Sequence, residues 1–92
     1  MNLENEMASL IEDFNRKHRD KNSPHPRLST NSIIRGNSAE LESIEFLSFL
    51  LLVESRFNPY FDESSDLFSQ IYDCEEMNTP FAILESIKEK LR

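Results

Sequence analysis

The chain has 92 residues, of which 38% are hydrophobic, and this predicts one folded domain, residues 1–92, with a single small core rather than a disordered chain. Its 17 acids and 10 bases give a net charge of −7 at pH 7, which argues against nucleic acids and anionic membranes as main partners. With one glycine, Gly36, few tight β-turns are possible, so the composition favours an all-α fold.

The first predicted element is an amphipathic helix over about residues 2–17, followed by a long irregular loop. Apolar side chains recur there at helical spacing, and the basic residues 16–19 lie where the helix dipole favours cations. Pro24 and Pro26 exclude a regular helix in residues 19–40. A loop this long is typically functional or mobile, and three aliphatic residues are expected to tie it to the core: Leu28, Ile33 and Ile34.

The second predicted helix, residues 43–57, carries two apolar stripes. One follows the spacing of a core face and consists of Phe46, Leu50, Val53 and Phe57. The other lies on an adjoining face and consists of Ile44, Leu47 and Leu51. Either this helix is central and buried on most sides, or the second stripe meets a partner or a cargo; the pattern leaves both open. Asn58-Pro59 is expected to end the helix.

Two further helices are predicted in the C-terminal third. A short third helix fits Ser64 to Tyr72, with Ser64 or Ser65 as its cap. Asn78-Thr79-Pro80 is a strong helix start, and a fourth helix follows over residues 80–91. The expected fold is all-α, with four helices, a long first loop and a short third helix. The predicted core comprises Phe14, Phe46, Leu50, Val53, Phe57, Phe68, Ile71, Phe81, Leu84 and Ile87.

Charge and cysteine usage suggest an acidic intracellular protein. Residues 38–76 contain ten acids and one base, Arg56, which suits docking to basic patches on other proteins. Cys74 is the one cysteine, so no internal disulfide can form, and a reducing cytoplasm fits. The acidic N-terminus does not resemble a signal peptide, and no apolar run is long enough for membrane insertion.

The start of the second helix is the most informative stretch. Ser43 follows Glu42, precedes Ile44 and opens the most hydrophobic helix of the chain. The first N–H groups of a helix have no intrahelical partner and carry partial positive charge, so a phosphate on this hydroxyl would lie in a favourable field. The local pattern alone also fits an ordinary serine cap, with Glu42 and Glu45 as acids that complement the dipole.

Glu42-Ser43-Ile44, placed after a long loop in an acidic chain, resembles the Asp-Ser-Leu motif of the acyl carrier protein family. Phe57, fourteen residues past the serine, occupies the place of a phenylalanine in that family, and Asn78-Thr79-Pro80 resembles the corresponding segment of D-alanine and other aminoacyl carriers. The resemblance extends over the whole chain in length and helix order. This chain departs from the motif at two positions: Glu42 replaces the usual Asp, and Ile44 replaces the usual Leu.

This resemblance implies a function and a cofactor. A phosphopantetheinyl transferase would attach 4′-phosphopantetheine to Ser43, and the arm's thiol would hold an acyl or aminoacyl group as a thioester. The second helix would dock loading and acyl-transferring enzymes through six residues: Glu42, Ile44, Glu45, Leu47, Leu51 and Glu54. The helix has fewer exposed acids than is usual, which predicts a specialised pathway rather than housekeeping fatty-acid synthesis. We expect a monomer that is not itself an enzyme.

The alternative hypothesis is an unmodified helical interaction module whose acidic surface binds a basic partner. An enzyme ranks third, because no nucleophile–base pair or set of metal ligands is visible in the sequence. His18 and His25 lie in a polar, basic region and are expected to be solvated. Cys74 is expected to be a partly buried small residue.

Overall fold

The computed structural model describes residues 2–19, 26–61 and 66–91. Within these ranges all regular secondary structure is helical, with no β-strand, so the expected all-α class is confirmed. The elements are α1 (Leu3–His18), α2 (Ser43–Phe57), a short 3₁₀ helix (Asn58–Tyr60), α3 (Leu67–Tyr72) and α4 (Pro80–Lys90).

The helices begin where short polar side chains satisfy their first N–H groups. The side chain of Asn2 accepts a hydrogen bond from the N–H of Asn5 at 3.1 Å and starts α1. Thr79 accepts one from the N–H of Ala82 at 3.0 Å, and Pro80 is the first residue of α4. The bounds predicted for α1 and α4 differ from the observed ones by one residue at most, and those of α2 agree.

One expectation about helix ends needs correction and one is confirmed. The third helix begins at Leu67, and its cap is Asp66, which accepts the N–H of Ser69 at 3.1 Å. Ser64 and Ser65, the predicted caps, lie outside the described residues. Asn58-Pro59 does end α2, but the chain turns directly into the 3₁₀ helix, because proline is compatible with the first turn of a helix.

The core lies around α2, which packs against α1, α3 and the 3₁₀ helix, while α4 packs against α1. Phe49, absent from the predicted core, is fully buried there. Phe81 is 50% exposed, so its assignment to the core is wrong. Phe68 is partly buried and packs against the core. In α4 Leu84 and Ile87 are buried, as predicted, and Ile83 is buried with them.

The described part of the first loop is anchored to the helices. Leu28 and Ile34 are buried, as expected, and Ile33 is only partly buried. Asn15 of α1 bonds to both backbone groups of Leu28, donating to its carbonyl at 2.9 Å and accepting its N–H at 2.6 Å. Ile34 donates its N–H to the carbonyl of Asn78 at 2.9 Å. These bonds satisfy backbone groups that the loop carries into the interior.

The described residues form a small body whose Cα radius of gyration is 12.7 Å, close to the value of about 12 Å expected for a globular chain of this length. None of its helices combines the length and apolar character that a membrane crossing requires, within the part of the chain described.

Candidate functional site

Ser43 is the first residue of α2, and its side chain is exposed. Its hydroxyl has no hydrogen-bond partner among the described residues. The preceding residue, Glu42, has extended backbone angles and forms the N-terminal cap position. The hydroxyl therefore faces solvent at the positive end of the helix dipole, where Glu42 and Glu45 form a capping box by accepting each other's backbone N–H.

The first turn of α2 is fixed by Glu45 and by an arginine at the end of α1. Glu45 Oε1 accepts the backbone N–H of Glu42 at 3.0 Å. Both carboxylate oxygens of Glu45 also accept hydrogen bonds from the guanidinium of Arg19, one of them at 2.9 Å from Nη2. The hydrogen bond to Glu45 raises the pKa of Arg19 above its ordinary value, which favours the charged guanidinium.

The second apolar stripe of α2 is exposed, so α2 is not buried on this side. Ile44 is 71% exposed, Leu51 58% and Leu47 38%. Together these residues form a continuous apolar surface on one face of the helix that carries Ser43. We call Ile44, Leu47 and Leu51 the exposed stripe.

Glu54, expected on the docking surface, contacts another element of the fold. Its Oε2 accepts the backbone N–H of Phe68 at 3.1 Å, in the first turn of α3. Its carboxylate therefore links α2 to the start of α3, and like Glu45 it is already engaged within the protein.

A groove of about 780 Å³ opens beside Ser43, between α2, the end of α3 and the loop that precedes α2. Its lining combines apolar, amide and charged side chains. The residues that line it are Arg35, Gly36, Asn37, Ser43, Phe46, Leu47, Tyr72, Asp73, Glu75 and Asn78.

Arg35 forms one wall of this groove and fixes the end of α3. Its guanidinium donates to the carbonyls of Ile71, Tyr72 and Cys74 at 2.8, 2.7 and 3.0 Å. It also lies over the ring of Phe46, 4.9 Å from the centroid. A cation at the carboxyl end of a helix is favoured by the dipole, so Arg35 holds α3 against α2.

Sequence reasoning placed Ser43 and the exposed stripe but missed the two arginines. The sequence places Arg19 only among the basic residues 16–19 at the end of the first helix, and no pattern in it singles out Arg35. Their partners lie far away in the chain, at Glu45 and at the end of α3, so no local spacing could have revealed them. His18 also differs from expectation, since it is partly buried and its ring lies 4.7 Å from that of Phe14. His25 lies outside the described residues.

The described residues contain no group of three or more His, Cys, Asp or Glu side chains placed to hold a metal ion. Cys74 is partly buried, as expected. What the arrangement offers is an accessible hydroxyl, an exposed apolar stripe on the same helix and a groove beside both. Comparisons with protein-family models, with curated proteins and with solved structures found no match.

Proposed function

We propose that this protein is a carrier of the acyl carrier protein type, which holds an acyl or aminoacyl intermediate as a thioester on a 4′-phosphopantetheine arm at Ser43. Its role is to present that intermediate to successive enzymes of a specialised pathway in the cytoplasm. Tethering raises the effective concentration of the cargo at whichever active site the carrier meets.

The observation that carries the proposal is the exposed Ser43 hydroxyl at the first residue of α2. In the modification step Ser43 Oγ attacks the phosphorus of coenzyme A that bears pantetheine. An O–P bond forms, the pyrophosphate bond breaks, adenosine 3′,5′-bisphosphate leaves and the hydroxyl proton is lost to the transferase. This step needs an accessible hydroxyl on the carrier and no catalytic group of its own.

The architecture supports the same proposal. A long α1, a long loop, a central α2, a short α3 and a final α4 follow the order of a carrier-type four-helix bundle. Ser43 lies at the junction between the long loop and α2, which is the attachment position that the resemblance implies. Fold order alone does not define a function, so the hydroxyl and its surroundings carry more weight than the bundle.

The exposed stripe is the proposed docking surface for the phosphopantetheinyl transferase and for the enzymes that load and transfer cargo. Ile44, Leu47 and Leu51 supply apolar contact. Glu42, whose side chain also accepts the N–H of Glu45 in the capping box, is exposed and supplies charge beside the serine. Glu45 and Glu54 already accept hydrogen bonds inside the fold, so they add to the negative field rather than leading the contact. Such small surfaces suit the short-lived encounters that a carrier needs.

The groove beside Ser43 is the proposed resting place of the arm. Its volume of about 780 Å³ falls within the range of about 300–1,000 Å³ that is typical of small-molecule sites. Pantetheine contains two amide groups, and the carboxamides of Asn37 and Asn78 in the lining can exchange hydrogen bonds with them. Phe46 and Tyr72 offer apolar surface to the methylene groups.

Intact-mass measurement tests the proposal. The protein is incubated with coenzyme A and a phosphopantetheinyl transferase of broad specificity. Wild type should gain the mass of one phosphopantetheine, Ser43→Ala should gain none, and Ser55→Ala should behave as wild type. Ser55 is the matched control because it is also an exposed serine on α2.

The alternative is an unmodified interaction module, which the exposed stripe would also fit. In that case the wild-type mass stays unchanged after incubation with transferases that modify acyl, aminoacyl and peptidyl carriers. Addition of mass that persists in Ser43→Ala would also contradict the assignment of the attachment site.

A further inference from the structure

Among the residues that the structure describes, Arg19 is the largest fully buried side chain, at 2% exposure, although it is charged. It ends α1 with its own N–H bonded to the carbonyl of Asn15 at 2.7 Å. Its guanidinium then turns inward and contacts the side chain of Glu45 and the backbone carbonyl of Glu40, the latter at 3.0 Å. A buried charge is tolerated only where such partners satisfy it.

These contacts hold one short segment at both ends. Glu40 lies three residues before Ser43, and Glu45 lies two residues after it. Glu45 in turn accepts the N–H of Glu42, so the guanidinium, the carboxylate and the helix cap form one connected network.

The carbonyl that Arg19 binds is itself on a fixed residue. Glu40 donates its N–H to the carbonyl of Ile33 at 2.7 Å, and its carboxylate accepts the N–H of Ile33 at 3.2 Å. This pair of bonds closes the loop that contains Gly36, whose φ of 91° lies in the region that glycine favours. The segment before Ser43 therefore has little freedom to shift.

We infer that Arg19 is the positioning residue of the modification site: by binding Glu40 and Glu45 together it sets the first turn of α2 and the direction in which Ser43 is presented to a modifying enzyme. This inference rests on the proposed function. The structural part of the inference, that Arg19 orders the first turn of α2, can be tested even if the proposed function is wrong.

The chemistry of the site calls for arginine. A guanidinium presents its N–H groups in one plane, so it can bind a carboxylate through two of them and a carbonyl through a third. Lysine offers a point charge and does not reproduce that fork. Removal of the guanidinium would leave Glu45 without its principal partner and the carbonyl of Glu40 without this donor, next to the reactive hydroxyl.

Arg56 provides a matched control. It also joins α2 to α1, donating to Asp13 at 2.7 Å and to Ser9 at 3.0 Å, but it does so in the last turn of α2, far along the helix from Ser43. Arg19→Gln and Arg56→Gln therefore both remove an α1–α2 link, and only the first touches the turn that presents the serine.

The experiment measures kcat and KM for transfer of phosphopantetheine to each variant. For Arg19→Gln we expect kcat to fall by about tenfold or more, because small misplacements of a reacting group have effects of this size. KM should change less than kcat, since Leu47 and Leu51 lie beyond the disturbed turn and only Ile44 and Glu42 of the docking surface lie within it. Arg56→Gln should leave both constants near their wild-type values even where it lowers the melting temperature.

Amide hydrogen exchange supplies a readout that does not depend on modification. The N–H of Glu42, bonded to Glu45, and the N–H of Phe46, bonded to the carbonyl of Glu42 at 2.9 Å, report on the first turn. Their exchange should accelerate in Arg19→Gln and stay unchanged in Arg56→Gln. If wild type gains no phosphopantetheine, the proposed function fails while these rates still test the ordering of the turn.

Glu45→Gln keeps the test decisive if Arg19→Gln does not fold. It retains the shape and one acceptor oxygen while weakening the bond to Arg19, so kcat should fall in the same direction. Transfer at the wild-type rate in a folded Arg19→Gln or Glu45→Gln protein would overturn the inference. So would an equal fall in kcat for Arg56→Gln, since that would indicate a general loss of stability rather than positioning.

Discussion

Asn15 is a buried polar side chain that forms hydrogen bonds with the backbone of the first loop. It is 3% exposed on α1, and its carboxamide forms a pair of hydrogen bonds with the N–H and the carbonyl of Leu28. This arrangement imitates the pairing of two backbone segments and satisfies a donor and an acceptor that water does not reach. Because buried backbone groups must be paired, the described part of the loop depends on this residue.

Asn15→Ala should therefore lower the free energy of unfolding by about 2–3 kcal/mol, because it leaves two buried backbone groups of Leu28 without partners. Urea unfolding followed by circular dichroism measures the change. Asn5→Ala is the control, since Asn5 is exposed on the same helix and the change should have little effect. Because alanine favours the helix more than asparagine does, helix propensity alone predicts a small gain in both variants, and a gain for Asn15→Ala would contradict the role given to its hydrogen bonds.

At the scale of the element, α2 carries apolar residues on two faces that have different purposes. Leu50 is fully buried, whereas its neighbour Leu51 is 58% exposed. Burial of a side chain stabilises the fold by removing apolar surface from water, so only the first leucine contributes strongly to folding. The second remains available to a partner.

The two leucines give a direct comparison. Leu50→Ala should cost about 2–5 kcal/mol of unfolding free energy, the usual range for a buried leucine. Leu51→Ala should change it by about 0.5 kcal/mol or less, as at most surface sites. Under the proposed function, Leu51→Ala should nevertheless raise KM for phosphopantetheine transfer. A large loss of stability from Leu51→Ala would show that this residue belongs to the core.

Helix α3 depends on other elements for its stability. It has six residues, too few for an isolated helix to persist in water. Glu54 accepts an N–H at its start, and Arg35 donates to three carbonyls at its end. The start of α3 is therefore held by a side chain of α2, and its end by a side chain of the loop that precedes α2.

Arg35→Met should release the end of α3 while leaving the other helices intact. Because hydrogen bonds to a charged donor contribute about 1.5–3 kcal/mol each, amide exchange of Asp73 and Cys74 should accelerate by about tenfold or more. Exchange in α1 and α4 should not change. Arg27→Met is the control, because Arg27 is exposed and bonds only to Glu12 among the described residues. In that variant the exchange of Asp73 and Cys74 should keep its wild-type rate. Uniform acceleration along the whole chain would instead indicate global destabilisation.

The same elements show why sequence predicted some features and not others. Local signals fixed the helix bounds: Thr79-Pro80 starts α4, and Pro59 stops α2. The exposure of Phe81 was wrongly predicted because helical spacing gives an apolar face but not how far it extends; that depends on how α4 packs on α1. Arg19 acts across the fold, with Glu45 twenty-six residues away, so its burial has no local signature.

At the scale of the whole molecule, charge is segregated. The net charge is −7, and residues 38–76, which include α2 and α3, hold ten acids against Arg56 alone. A surface of one sign attracts a partner of the opposite sign before contact and raises the rate of encounter. Under the proposed function, Glu42 beside the exposed stripe would attract a basic partner towards contacts that are themselves apolar, while the charge of Glu45 is balanced by Arg19.

This arrangement predicts that phosphopantetheine transfer is sensitive to salt chiefly through encounter. The screening length falls from about 10 Å at 0.1 M salt to about 3 Å at 1 M, so kcat/KM should drop by about tenfold over that range while kcat stays nearly constant. Steady-state kinetics at several NaCl concentrations measures both constants. Leu51→Ala should lower kcat/KM by the same factor at every salt concentration, because an apolar contact is not screened. A value of kcat/KM that does not respond to salt in wild type would mean that the acidic surface has no part in docking, and that the exposed stripe alone selects the partner.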